Sequence, residues 1–201
     1  MQNFPSTTIR ETVKFLEAGI ISEIFEFLKT GKGMNRKVSE YMKAYCEVQT
    51  EAIRGDSNCE ELLQYYTQLI ENYIIECKNN LFEESKSNQS NLIDEFLSYT
   101  KKINFLIYWM FRIFWFLDRF YTRLPGRKTL GQIGMNLYKS NFYEAFKDNI
   151  QDEISNLKNE EKNGNEKSIE KLKNIMKILE YLDLEKPKIR KENNLLIWEN
   201  E

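Results

Sequence analysis

Residues 103–121, INFLIYWMFRIFWFLDRFY, place nine aromatic side chains in nineteen positions, interrupted by Arg112, Asp118 and Arg119. A helix that spans a bilayer needs about 20 mostly apolar residues. The longest uncharged stretch here runs only from Ile103 to Phe111. The run is therefore expected to be the central helix of a soluble, all-α domain, apolar on nearly every side and wrapped by its neighbours. No segment is read as having the period-two alternation of a strand, and three prolines in 201 residues agree with long helices.

A chain of 201 residues can bury a sizeable core, and one domain with a tail is expected. Its 29 basic and 31 acidic residues nearly balance, so no global field draws nucleic acid or an anionic membrane, and any basic patch would be local. Cys46, Cys59 and Cys77 are odd in number and lack CxxC spacing, which points to reduced thiols in an intracellular compartment. Arg10, Glu11, Lys14 and Glu17 make the first residues unlike a secretory signal. A cytoplasmic or nuclear location is expected.

The sequence contains no histidine, which removes Ser-His-Asp and Cys-His catalysis and any imidazole ligand for zinc. Adjacent acids such as Glu60/Glu61 and Glu83/Glu84 point about 100° apart on a helix and read as solvated faces. Gly126 and Gly131 have the separation of a phosphate-binding loop, but Gln132 stands where that loop needs lysine. Pro125-Gly126 reads as a turn. No catalytic residue, metal site or cofactor is expected.

Helical periodicity begins behind Ser6-Thr7-Thr8 at Ile9, Val13, Leu16, Ile20, Ile24 and Phe27. A loop over 29–37 should follow, then a second helix capped by Ser39 that carries Tyr41, Met42, Tyr45, Val48, Ala52 and Ile53. Gly55 to Asn58 ends it, and a third helix runs from about Asn58 through Leu62, Tyr66, Ile70 and Ile74. Glu83 to Ser90 reads as a polar loop. A fourth helix starts near Asn91 and either continues through Lys101-Lys102 into the aromatic run or breaks there. A fifth covers 130–161, and a charged turn leads to a last helix over Ile169 to Leu182. Beyond Lys186-Pro187 the chain turns basic at Lys188 to Lys191 and closes on the apolar stub Leu195-Leu196-Ile197-Trp198.

Three ordered stretches carry a family resemblance. SEYMKAYCEVQTEA resembles the YMxxY-type helix near the N-terminus of cullins, the elongated scaffolds of ubiquitin ligases. FWFLDRFYTR resembles the cullin aromatic-rich helix with its Asn/Asp-Arg step. The stretch from LGQIGMNLYKSNF to KILEYLDLE is similar to the family's glycine-leucine helix and the two helices after it, with Lys162 where arginine is usual and Leu182-Asp183-Leu184 in place of L-G-L.

The resemblance implies a first cullin repeat over 1–185, an elongated multi-helix bundle, followed over 186–201 by a linker and the start of a second repeat or a tail. It implies a non-catalytic scaffold of a cullin-RING ubiquitin ligase acting in ubiquitin-dependent protein degradation. The partner would be a BTB/POZ-fold adaptor or substrate receptor, bound directly or through an F-box linker. The family's RING protein binds a C-terminal domain outside these 201 residues, and no nucleic-acid or membrane partner is implied.

Matched residue by residue, the family's contact positions on the second helix fall at Tyr41, Met42, Tyr45 and Gln49, where a further tyrosine is frequent in place of glutamine. On the aromatic-rich helix they fall at Phe116 and Arg119. Tyr41, Tyr45 and Gln49 lie at i, i+4 and i+8 on one stripe, with Val38 and Val48 expected to face inward. The competing class is a helical structural or tethering rod, which gives no reason for these residues to share a surface.

Overall fold

The aromatic run does not form one helix. In the computed structural model, which describes residues 7–32, 38–87, 92–162, 166–183, 187–192 and 195–200, it divides at Phe114 between α5 (Leu92–Ile113) and α6 (Trp115–Phe120). Phe114 sits at φ −95° and ψ 11°, outside the helical region, although its ring is fully buried. α5 passes through Lys101-Lys102 without a break.

Ahead of this pair come α1 (Thr7–Leu16), α2 (Ser22–Thr30), α3 (Val38–Ala52) and α4 (Asp56–Ser87). After it come α7 (Leu130–Tyr138), α8 (Glu144–Lys162) and α9 (Glu166–Leu182). The expected all-α architecture is what the described residues form, apart from a C-terminal hairpin. There Pro187–Glu192 (β1) pairs antiparallel with Leu195–Asn200 (β2), in a register that sets Ile189 opposite Trp198. The strandless reading is thus corrected: the apolar text of the stub hides any alternation, yet Trp198 is buried as one face of a ladder requires.

Three further readings change. Helix one is two helices, since a π turn at Glu17–Ile21 with Gly19 at φ −108° and ψ −114° separates α1 from α2. The expected loop from Glu83 is helical as far as Ser87, because Lys86 pairs with Glu83 at 2.7 Å and Glu84 accepts the Tyr99 hydroxyl at 2.9 Å. The segment from Leu130 is also divided, by a π turn at Lys139–Tyr143 between α7 and α8. α3 starts at Val38, so Ser39 lies inside its first turn, and Ser6 lies outside the described residues.

The chain resolves into two compact units. The first is Met1–Leu69 with Leu106–Leu130. In it α3 packs against α1 and α6, and the rings of Tyr65 and Tyr66 meet Phe114 at 6.2 and 5.6 Å. Burial falls on Ile9, Leu16, Ile24, Val48 and Leu62, where the helical period of each segment places its apolar face. Pro125-Gly126 is the expected turn: Gly126 has φ +85°, and Arg127 N–H reaches Leu124 O at 3.1 Å. Proline second and a positive-φ glycine third are what a type II turn demands.

The second unit is Ile70–Phe105 with Gly131–Glu201. Its core is aromatic: Phe96 stacks on Phe142 at 5.2 Å, Phe142 meets Phe146 at 5.5 Å and Tyr138 at 5.8 Å, and Phe82 meets Phe146 at 4.6 Å. Inside that core the hydroxyls of Thr100 and Tyr138 lie 3.0 Å apart. Among the described residues no helix is long and apolar enough to cross a membrane.

Candidate functional site

The site lies in the first unit, along one flank of α3. The buried face of this helix is Ala44, Val48, Glu51 and Ala52. A four-residue step turns about 40° beyond a full rotation. Tyr41, Tyr45 and Gln49 therefore climb away from the buried face, and all three side chains are part-exposed. Met42 is further round and 43 % exposed. Val48 points inward as expected, but Val38 does not. It stands about 120° round the helix from Ala44 at about 100° per residue, and it is 77 % exposed.

Opposite this flank run the end of α5 and all of α6. Tyr41 meets Trp109 edge-on at 6.1 Å, and the Arg112 guanidinium lies 4.9 Å over its ring. The Tyr41 hydroxyl donates to the Arg112 carbonyl at 2.7 Å. That bond has a backbone cause, because the last carbonyls of a helix have no partner within it and α5 ends one residue after Arg112. One turn on, Tyr45 faces Trp115 at 6.3 Å, and Arg119 lies 5.4 Å over the same indole. Burial is the main reason why the Tyr45 hydroxyl is pushed above its ordinary pKa, with Tyr41 and Cys46 adding to it and Arg119 opposing.

Tyr41, Tyr45 and Arg119 are thus brought together. Phe116 is on α6 but turns to Phe120, at 4.6 Å between rings, and the ring against Tyr45 is that of Trp115. Arg119 makes no ion pair among the described residues. Its neighbour Asp118 is buried at 1 % exposure and accepts the backbone N–H of Leu130 at 2.7 Å and the Thr122 hydroxyl at 3.1 Å, so it holds the start of α7. Trp109, Arg112 and Trp115 were not anticipated. A signal for one of them was present: Arg112 stands seven residues before Arg119, one helical face, in an otherwise apolar run.

A cleft of about 410 Å³ in the second unit is lined by Asp94, Ser98, Lys101, Lys167, Glu170 and Lys171, among others. Lys171 is already paired with Asp94 at 2.7 Å, and the remaining groups are surface charges. Among the described residues no cluster of acids and cysteines could hold a metal ion.

A family model, the cullin alpha solenoid domain, matches residues 14–197. No curated protein and no solved structure matches the chain. The helical architecture and a match over most of the length agree, and the chain belongs to the cullin family, whose members are structural scaffolds of ubiquitin ligases.

Proposed function

We propose that this cullin chain is a non-catalytic scaffold part whose first unit docks a BTB/POZ-fold adaptor, directly or through an F-box linker, for ubiquitin-dependent degradation. The docking residues in this reading are Tyr41, Met42, Tyr45, Gln49, Phe116 and Arg119. Residues to about 185 are read as the first repeat, and a RING protein would bind a different part of a full-length scaffold. The observation that carries the reading is the row formed by Tyr41 and Tyr45 against Trp109, Trp115 and Arg119. Half-buried rings anchored from below, with Met42 and Trp115 each about two-fifths exposed beside them, have lost much of their conformational freedom before a partner arrives. Tyrosine, tryptophan and arginine are also the side chains that dominate binding hot spots.

The test is calorimetric titration against a panel of BTB-fold adaptors, comparing the chain with its Tyr45→Ala variant. Truncation of a hot-spot tyrosine should cost roughly 2 to 4 kcal/mol, about thirtyfold or more in affinity. Binding near micromolar or tighter, lost in the variant at unchanged helicity, supports docking. A chain that binds no adaptor is a structural rod.

A further inference from the structure

Charge in the first unit is segregated along the chain. Its segment Leu106–Leu130 carries Arg112, Arg119, Arg123, Arg127 and Lys128 against a single acid, Asp118. Asp118 is buried, its carboxylate accepting the Leu130 N–H. Arg112 lies over the rings of Tyr41, Tyr108 and Trp109, and Arg127 sits 3.6 Å from the centre of the Tyr121 ring, whose hydroxyl donates to Glu60. Arg119 lies 5.4 Å over the rings of both Trp115 and Phe120, and all five basic side chains are exposed. Between them Phe120 is 58 % and Leu124 45 % exposed. A molecule of net charge −2 thus turns one basic, apolar edge outward beside Trp115 and Tyr45.

We propose that this edge, made by Arg119, Phe120, Arg123, Leu124 and Lys128, receives an acidic segment of the docked adaptor in which carboxylates flank an apolar side chain. The proposal rests on the adaptor-docking reading and names the chemistry that selects the adaptor. A nucleic acid fits less well, because strong phosphate binding uses about 6 to 10 basic contacts and would leave Phe120 and Leu124 in water. A carboxylate-bearing protein segment satisfies both halves of the surface. Charges at the rim of an interface act mainly on encounter rate and on the choice of partner, and salt screens them.

The experiment is kinetic, with an adaptor that binds in the calorimetric panel, at about 50 mM and about 500 mM salt. The Arg123→Glu/Lys128→Glu variant leaves the Arg127–Tyr121 stack in place, and Arg123→Gln/Lys128→Gln serves as the milder form. The association rate at low salt should fall about tenfold or more in the glutamate variant and less in the glutamine variant. The difference should vanish at high salt, with dissociation changed little and far-UV circular dichroism unchanged. Equal association rates for all three chains at low salt overturn the proposal and leave docking standing. So does binding of single-stranded DNA or phosphatidylserine vesicles tighter than any adaptor and lost in the glutamate variant. If no adaptor binds the unmodified chain, the docking reading itself fails and takes this edge with it.

Discussion

Asp118 shows how much one side chain can settle at a distance. Its carboxylate takes the first N–H of α7, twelve residues further on, and the helix dipole favours a negative charge at that end. Asp118→Ala would leave the Leu130 N–H and the Thr122 hydroxyl buried without this acceptor, at a cost of about 2 to 4 kcal/mol, read as a lowered urea midpoint. Asp118→Asn keeps an acceptor and should cost less. Tyr41 has a comparable structural task at the end of α5. Tyr41→Phe keeps the ring against Trp109, loses the bond to the Arg112 carbonyl, and should destabilise by about 1 kcal/mol. The cysteines divide on burial: Cys46 is exposed on α3, the Cys59 thiol is raised by burial, and burial pushes Cys77 up to about 12. A thiol reagent near neutral pH should therefore label Cys46 quickly and reach Cys59 and Cys77 only when denaturant is added. Fast labelling of Cys77 in the native chain would mean that α4 opens locally.

At the scale of elements, the amphipathic stripes were legible and the interruptions were not. Val48 and Leu62 could be assigned to the inside from spacing alone, because a repeating apolar face has one economical solution. The π turns, the break at Phe114 and the continuation of α4 to Ser87 depend on contacts that no local pattern encodes, such as Tyr99 reaching Glu84. For the hairpin a cue did exist, since Asn193-Asn194 separates two short runs by two residues, but the uniform apolarity of Leu195 to Trp198 masks its period. The site follows the same division. The stripe of Tyr41 and Tyr45 is local to one helix and could be read, whereas the choice of Trp115 over Phe116 as the ring beside Tyr45 follows from the break at Phe114. The second π turn also has a use. Tyr138, Phe142 and Phe146 are spaced by four, a step that drifts about 40° in a regular α-helix, and the wider turn takes up part of the drift so that all three rings serve one aromatic core. Phe142→Ala should then cost about 3 to 5 kcal/mol in a denaturant titration, well above a truncation of the half-exposed Phe116.

For the whole molecule, the absence of histidine and the burial of tyrosine together set how stability depends on pH. With no imidazole, no side chain of ordinary pKa titrates between about pH 6 and 8, and stability should be flat there. Above that range the balance changes. Tyr66 and Tyr138 are almost wholly buried, and burial, their largest influence, raises both hydroxyls far above the usual tyrosine value, as it does for Tyr73. Each of these groups favours its neutral form in the folded chain, so the folded state holds more protons than the unfolded one once pH passes the unfolded thiol and phenol values. Their contribution is fully present below about pH 9 and is lost as pH rises toward the folded values. Alkaline titration followed by tyrosinate absorbance should show an early class of exposed phenols ionising with helicity intact. A second class, Tyr66 and Tyr138 within it, should ionise only in step with the loss of far-UV circular dichroism. Ionisation of every tyrosine before helicity falls would show that water reaches the Tyr66–Phe114 and Tyr138–Phe142 contacts in the native chain, and that these rings do not hold their units closed.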